Sequence, residues 1–259
     1  MFRKLILLVF LATSIGVIAQ QKNGKQYKIR TVAFYNVENL FDTINDVTKN
    51  DEASPIMEMK GDRGKVYKDK IKKLASVIAQ IGKDKTNTSP VLIGLAEVEN
   101  RQVLEDLVNA DDLKSKRYGI IHYESPDKRG IDVALLYQKQ LFNPTHYNAY
   151  PLFLYDTEET TKRIFTRDQL VVSGILDGEK IHFIVNHWPS RREGLELTEP
   201  ARITASNKAI EIIDGIKSRD ENAKIIVMGD FNDNPNNKSI KNMVQAQDLY
   251  NPMSNLPTY

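Results

Sequence analysis

The strongest constraint on the fold is the alternation of short apolar segments, typical of β-strands, with a few segments of helical periodicity. Strands are predicted at residues 28–36, 91–95, 118–123, 131–137, 145–154, 169–175, 181–186 and 224–228. Asp177-Gly178 predicts a hairpin turn between two of them. Strands that alternate with helices and include a hairpin indicate an α/β or α+β sandwich rather than a purely parallel sheet.

Four segments have the pattern of a helix with one buried face. Residues 67–81 carry isoleucine or leucine every three or four positions. Asn100 is predicted to cap a second helix and Thr198 a third, and residues 236–247 form the fourth. No linker rich in proline or glycine separates the two halves of the chain. We therefore predict a single domain over residues 27–259.

The first residues have the order of a secretory signal peptide. Two basic residues precede an apolar run over residues 5–19, and Val17 and Ala19 offer the small side chains that signal peptidase reads. The alternative is a transmembrane anchor, but the run is short for about 30 Å of hydrocarbon. We predict a cleaved signal peptide over residues 1–19 and export to the periplasm or the cell exterior, with no transmembrane segment afterwards.

Composition excludes several classes of site. The chain has no cysteine, which excludes thiol catalysis, zinc–cysteine sites and iron–sulfur clusters. The formal net charge is +2, and removal of the predicted signal peptide, with its two basic residues, leaves it near zero. A neutral protein does not bind polyanions through its overall field, so any nucleic acid must be held by a local patch.

Acidic, amide and imidazole side chains recur where predicted strands end. Asn36, Glu97, His187 and Asp230 follow four different strands, and open α/β sheets build their sites at such ends. Carboxylate and amide oxygens are ligands suited to Mg²⁺, Mn²⁺ or Ca²⁺, and a neighbouring histidine holds a phosphate oxygen or moves a proton. Each residue alone is more often a turn or surface residue. Their joint recurrence predicts a metal-dependent site.

Five segments in this order resemble successive motifs of the endonuclease/exonuclease/phosphatase superfamily. They lie at residues 34–40, 95–99, 129–137, 185–188 and 228–232. The third segment is most similar to bacterial secreted members. The resemblance implies a four-layer α/β sandwich in which two mixed β-sheets pack face to face, flanked by helices.

The resemblance also implies roles for individual residues. Glu97 would be the principal ligand of Mg²⁺ or Mn²⁺, with Ca²⁺ as a further option, and Asn36 would lie beside it. Asp230 would orient or deprotonate the attacking water. Asn232 would bind the scissile phosphate, and His187 would contact a non-bridging phosphate oxygen.

Further residues are candidates for secondary roles. Arg129 is predicted to bind substrate, since guanidinium matches phosphate geometry. Glu38 falls where the family often has a second acid. Trp188 is interpreted as a packing or rim residue. Additional phosphate contacts are left open for four more arginines: Arg163, Arg167, Arg191 and Arg192.

The superfamily's last motif, a Ser-Asp-His-like sequence on a final strand, has no counterpart here. The histidines of the chain are His122, His146, His182 and His187, so none follows Asn232. We expect the domain to lack its C-terminal strands. A fragment of a longer protein is favoured over the loss of the catalytic half-site.

The predicted function is that of an exported, divalent-metal-dependent phosphodiesterase, foremost an endonuclease that hydrolyses nucleic acid. A phosphatase or lipid phosphodiesterase would use the same core, and cationic recognition loops would favour nucleic acid over lipid. A metal- or phosphate-binding protein without catalysis is the third alternative. No oligomeric state is predicted.

Overall fold

The computed structural model describes residues 27–156 and 158–256, so the predicted signal peptide lies outside the described residues. The main elements in chain order are β1 (Val32–Leu40), α1 (Arg63–Gln80), β2 (Leu92–Val98), α2 (Arg101–Asn109), β3 (Tyr118–His122), β4 (Asp132–Gln138), β5 (Phe142–Tyr150), β6 (Leu154–Tyr155), β7 (Arg163–Ile164), β8 (Gln169–Leu176), β9 (Glu179–His187), α3 (Leu195–Lys217), β10 (Lys224–Asp230) and α4 (Lys238–Gln247). Single helical turns occur at Asp51–Ala53, Pro55–Glu58, Lys83–Thr86, Asp111–Lys114 and Pro252–Asn255. Within the described ranges, no helix is both long and apolar enough to cross a membrane.

Eight of the strands form two four-stranded sheets with matching plans. Sheet 1 has the order β1-β2-β4-β3, and sheet 2 has the order β10-β9-β8-β5. In each sheet the first two strands are parallel and the remaining pairs are antiparallel. The prediction of two mixed sheets flanked by helices is confirmed. Among the described residues, no strand pairs with the outer edge of β1 or of β10.

The core has one apolar layer on each face of sheet 1, and the residues of β2 contribute to both. Its residues alternate, with Leu92 and Ala96 packed against sheet 2 and Ile93 and Leu95 packed against the helices. Because successive side chains of a strand point to opposite faces, a strand buried on both sides has a continuous apolar sequence. Helices α1 and α2 cover sheet 1, and α3 covers sheet 2, which gives the four layers.

Close approach of the two sheets depends on Gly94 of β2. A Cβ atom at this position would lie 3.0 Å from Val185 Cγ1 and 3.2 Å from the terminal carbon of Met228, both in sheet 2. A side chain here would push the sheets apart, since interiors are packed without spare volume. Glycine therefore sets the distance between the sheets at a position three residues before Glu97.

The two predicted helix caps had different outcomes. Asn100 caps α2 as predicted, because its side-chain oxygen accepts a hydrogen bond from Val103 N at 3.0 Å. The Thr198 cap is wrong, since α3 begins three residues earlier, after Gly194 with φ +106°. The Thr198 hydroxyl instead donates to the Gly194 carbonyl at 2.6 Å and accepts a bond from Arg202.

The segment predicted as one strand over residues 145–154 is divided in the structure. Strand β5 ends at Tyr150, and Pro151 follows, which has no N–H to continue the ladder. Beyond it, β6 pairs with β7 in a separate two-stranded hairpin that periodicity did not predict. Strands of two residues are too short to give a periodic signal.

A fully buried ion pair ties α3 to the loop that follows β10. Arg202 Nε lies 2.8 Å from Asp233 Oδ1, and both side chains are completely inaccessible to solvent. Arg202 also donates to the Leu195 carbonyl at 3.1 Å, and Asp233 accepts from the Ser239 hydroxyl at 2.6 Å. Buried charges need such partners because desolvation of an unpaired ion is costly.

We predict that Asp233→Asn destabilises the protein, because it leaves the Arg202 guanidinium buried without a counter-charge. The free energy of unfolding in urea should fall by about 3–5 kcal/mol. The matched control is Glu211→Gln, which breaks the exposed ion pair between Lys208 and Glu211. This change should cost less than about 1 kcal/mol. Equal losses in the two variants would contradict the assignment.

Candidate active site

Side chains from four strand ends meet at one end of the sandwich. Asn36 lies on β1, Glu97 on β2, His187 at the end of β9 and Asp230 at the end of β10. Asn36 Nδ2 donates to Glu97 Oε1 at 3.1 Å and to Asp230 Oδ2 at 3.0 Å. His187 Nε2 lies 3.8 Å from Glu97 Oε1. The ligand atoms of Glu97, His187 and Asp230 all lie within 4.8 Å of one another.

The backbone around Glu97 is irregular in both strands. Glu97 has φ +63°, and the register of β1 against β2 shifts so that three residues of β1 lie opposite Glu97. Within this bulge Glu38 and Asn39 also have positive φ angles, 53° and 56°. Such conformations cost about 1–3 kcal/mol each in non-glycine residues and concentrate at functional sites. The bulge directs Asn39 N–H to Glu97 Oε2 at 2.9 Å.

Lys70 of α1 supports the bulge from the outside. Its ammonium donates to the carbonyl of Glu38 and, at 3.0 Å, to the carbonyl of Asn39. Burial lowers the pKa of Lys70, and the nearby carboxylates of Glu38 and Glu97 oppose that shift. The Glu38 side chain itself is exposed and is not among the three groups whose ligand atoms converge.

The side chain of Asn36 is oriented by the backbone of Glu38. Its Oδ1 atom accepts a hydrogen bond from Glu38 N at 2.8 Å, so its NH₂ group faces the carboxylates of Glu97 and Asp230. In this arrangement Asn36 bridges one carboxylate from each sheet. Sequence reasoning placed Asn36 beside Glu97 without indicating which end of the amide faces the cluster.

The loop after β10 is fixed around Asp230 and Asn232. Asn232 has φ +51°, and its N–H donates to Asp230 Oδ1 at 3.0 Å. Its side-chain amide donates to the Trp188 carbonyl, also at 3.0 Å. Trp188 is buried and its ring packs edge-on against Phe231, with centroids 4.7 Å apart. Trp188 is thus a packing residue whose carbonyl orients the site.

Two arginines lie beside His187. Arg167 is buried and donates to the Trp188 carbonyl at 2.6 Å and to Asp127 Oδ2 at 3.0 Å. Arg129 is more accessible, and its Nε lies 3.5 Å from the other oxygen of Asp127. Asp127 therefore holds both arginines. It was not predicted from the sequence, although it lies two residues before Arg129.

The surroundings of His187 disfavour its protonated form. Burial lowers the pKa of His187 well below its usual range, and the positive charges of Arg167 and Arg129 lower it further. Its Nδ1 atom is buried and has no hydrogen-bond partner among the described residues. A buried imidazole nitrogen without a partner costs free energy. The ring nitrogen that faces the cluster is Nε2.

The other histidines do not join this cluster. His122 Nε2 lies 3.0 Å from Asp132 Oδ2, with Glu124 nearby, on the β3 and β4 strands. His182 Nδ1 lies 2.7 Å from the Ser173 hydroxyl, and His146 is exposed on β5. Of the predicted site residues, the structure brings Asn36, Glu97, His187 and Asp230 into contact. Asn232 and Arg129 lie next to them.

The donor set fits a hard divalent cation. Glu97 and Asp230 offer two carboxylates from opposite sheets within a few ångströms of each other. Oxygen donors of this kind suit Mg²⁺ and Mn²⁺, and two close carboxylates favour a positive charge between them. The NH₂ group of Asn36 donates to both carboxylates, but it carries no net charge and so does not neutralise them.

Comparison with known proteins bears on this arrangement. The family model described as Endonuclease/Exonuclease/phosphatase family matches residues 31–257. This chain belongs to that family. Members of this superfamily are hydrolases that act on phosphoester bonds and generally use divalent metals. No curated protein matches the sequence.

Solved structures of the same fold have low sequence identity to this family member. A β-hairpin deletion mutant of Staphylococcus aureus beta toxin has a TM-score of 0.53 and 13% identity over 87% of this chain and 75% of its own. A conserved protein of unknown function from Enterococcus faecalis V583 also has a TM-score of 0.53, with 14% identity over 83% and 71%. The human Nocturnin catalytic domain, with bound sulfate, has a TM-score of 0.48 and 16% identity over 68% of this chain. The chain covers 63% of Nocturnin, less than two thirds of its length.

We predict that Glu97→Gln weakens cation binding without unfolding the protein, because it removes one of the two carboxylate charges. Calorimetric titration with Mg²⁺ or Mn²⁺ measures the affinity, and a fall of at least about tenfold is expected. Glu105→Gln is the control, since Glu105 pairs with Arg101 on the exposed face of α2. Equal affinity in wild type and Glu97→Gln would remove Glu97 from the site.

Proposed function

We propose that this member of the endonuclease/exonuclease/phosphatase family is a divalent-metal-dependent phosphodiesterase, an endonuclease that hydrolyses nucleic acid. The observation that supports it is the convergence of Glu97, Asp230 and a buried His187 at one end of the two sheets. Phosphodiester hydrolysis needs an oriented water and stabilisation of charge on the phosphoryl oxygens. Carboxylates and imidazole supply groups for both tasks.

Glu97 is the residue that would hold the cation, with Mg²⁺ or Mn²⁺ favoured. Asn36, predicted beside it, turns its NH₂ group and not its oxygen toward Glu97 and Asp230, so it would orient the two carboxylates rather than serve as a ligand. When bound, the cation supplies positive charge for the phosphoryl oxygens. Glu97 Oε2 is already fixed by Asn39 N–H. A ligand held by such a contact loses little freedom when it binds a metal.

Asp230 is the group proposed to orient or deprotonate the attacking water. One of its oxygens accepts from Asn36 Nδ2 and the other from Asn232 N–H, so the carboxylate cannot rotate freely. Each carboxylate oxygen has a second lone pair for a hydrogen bond from water. A fixed base is effective because the proton acceptor is positioned before the reaction begins.

His187, Asn232 and Arg129 are proposed to contact the phosphate. An imidazole N–H donates a hydrogen bond to a phosphoryl oxygen, and Nε2 is the ring nitrogen of His187 that faces the carboxylate cluster. Arg129 is held by Asp127 but remains partly exposed, with 37% of its side chain accessible. Its guanidinium supports recognition of phosphate at the rim of the site.

We predict that His187→Ala and Asp230→Asn each lower turnover of a phosphodiester by at least about a hundredfold, as loss of a charge stabiliser or a proton acceptor does. Initial rates with DNA, RNA and bis(p-nitrophenyl) phosphate, in Mg²⁺ and in EDTA, provide the measurement. His146→Ala is the control, because His146 is an exposed histidine on β5. Near-normal rates in both site variants would show that the roles are misassigned.

The same substrates separate the proposed activity from its alternatives. Cleavage inside DNA or RNA supports an endonuclease. Release of phosphate from monoesters, or cleavage of sphingomyelin without cleavage of nucleic acid, would instead assign a phosphatase or a lipid phosphodiesterase. Cation binding without turnover of any phosphoester would assign a binding protein.

Export is the second part of the proposal, and it rests on the sequence of residues 1–19. We predict that the mature protein begins near Gln20, because Val17 and Ala19 fit the cleavage rule. Intact-mass analysis of the protein from periplasmic and medium fractions checks this. Recovery of protein that retains Met1 in the membrane fraction would indicate an anchor.

A further inference from the structure

The β6–β7 hairpin presents aromatic rings to solvent. Strand pairing places Leu154 opposite Ile164 and Tyr155 opposite Arg163. Because alternate residues of a strand face the same side, Phe153, Tyr155, Arg163 and Phe165 share the outward face. We call these four residues the aromatic face of the hairpin.

The three aromatic residues of this face are about half exposed. Phe153 is 51% exposed, Tyr155 52% and Phe165 41%. The Arg163 guanidinium stacks on two of the rings, with its carbon 4.4 Å from the Phe153 centroid and 4.8 Å from the Phe165 centroid. Three exposed rings on one small hairpin contribute little to folding, and such patches mark binding surfaces.

The inner side of the hairpin connects this face to the catalytic end. Leu152 and Leu154 are buried and pack in the same cluster as Trp188, the residue that follows His187. Arg167, two residues after Phe165, donates to the Trp188 carbonyl. The hairpin is therefore attached to the same residue that orients Asn232.

We propose that the aromatic face is a stacking platform for unpaired bases of a single-stranded nucleic acid whose phosphodiester occupies the site. This inference rests on the proposed function and specifies its substrate. Bases stack on aromatic rings and on arginine planes, and the cation of Arg163 also attracts the phosphate backbone. In a duplex the base faces are occupied by neighbouring bases, so the platform favours single strands.

The rest of the hairpin argues against a lipid surface as the occupant. A hairpin that inserts into a bilayer needs apolar residues at its tip, whereas the tip here carries Asp156, Glu158, Glu159 and Lys162. Asp156 accepts hydrogen bonds from the N–H groups of Glu158 and Glu159, which keeps the acids at the end of the turn. The three rings lie on or next to the paired strands and not at this charged tip.

The test compares wild type with the double variant Phe153→Leu/Phe165→Leu, which keeps apolar side chains but removes two rings. The substrates are a single-stranded oligodeoxynucleotide, an abasic oligomer of equal length and bis(p-nitrophenyl) phosphate. For the oligodeoxynucleotide, KM should rise about tenfold with kcat unchanged, as expected when a base stack is lost. The abasic oligomer and the aryl ester should be unaffected. Phe153→Trp/Phe165→Trp should retain wild-type KM.

The matched control is Tyr27→Leu, which removes an aromatic ring that is 82% exposed. Tyr27 precedes Lys28, which pairs with Asp177 at the turn between β8 and β9, the end of sheet 2 opposite the site. This variant should match wild type on all three substrates. Circular dichroism melting of every variant checks the fold, and the single variant Phe165→Leu replaces the double variant if the latter unfolds.

Fluorescence anisotropy of the same labelled oligomers in EDTA separates this inference from the proposed function. If wild type hydrolyses nothing, the proposed function fails, and anisotropy still reports whether the rings bind bases. Unchanged KM and unchanged anisotropy in the leucine variant would overturn the platform. The platform would also be overturned if the leucine variant lost as much affinity for the abasic oligomer as for the normal one. A leucine variant that binds both oligomers normally but no longer binds phosphatidylcholine–phosphatidylglycerol vesicles would overturn it as well.

Discussion

The contact between the two sheets determines the geometry of the site. Gly94 allows β2 to approach Val185 and Met228 of sheet 2, and these three residues lie two or three positions before Glu97, His187 and Asp230. A strand pair that is parallel in each sheet then brings four carboxyl ends to the same end of the sandwich. Because Glu97 and Asp230 belong to different sheets, a change in sheet spacing would alter the distance between their carboxylates.

Two buried ionic contacts hold the loops that complete this end. Arg202 and Asp233 fix the loop of Asn232 from the side of α3, and Arg167 with Asp127 fixes the Trp188 carbonyl from the other side. Ion pairs of this kind contribute little net stability compared with apolar side chains, but they define one arrangement of the polar groups. Glu97 and Asn232 both have positive φ angles, and such strained backbone persists only where the surrounding contacts hold it in place.

The sequence predicted much of the fold and the main site residues, for physical reasons that differ between elements. Buried strands such as β2 are visible as apolar runs, and Asn100 is visible as a cap, because both signals are local. The predicted start of α3 is wrong, because the Thr198 hydroxyl donates to the Gly194 carbonyl within the helix instead of capping its N-terminus. Side-chain orientation at Asn36, and the role of Asp127 as partner of two arginines, depend on contacts between distant residues.

The β6–β7 hairpin is a second feature that could not be predicted from the local sequence. Its aromatic residues are unremarkable in the sequence, and only strand pairing puts Phe153, Tyr155, Arg163 and Phe165 on one face. Each strand contributes only two residues to this pairing, which is too few for a periodic sequence pattern that would predict a strand. Local sequence signals therefore identified the chemistry of the centre better than the surface around it.

The hydrogen bond from Asn36 to Asp230 joins residues that are 194 positions apart. Contacts of such separation form after the local strands and hairpins, because closing a long loop costs entropy before it gains any interaction. A nascent chain has no complete cluster until residue 230 has left the ribosome and sheet 2 has packed on sheet 1. The acidic and imidazole groups of the cluster therefore stay apart in the growing chain until residue 230 has been synthesised.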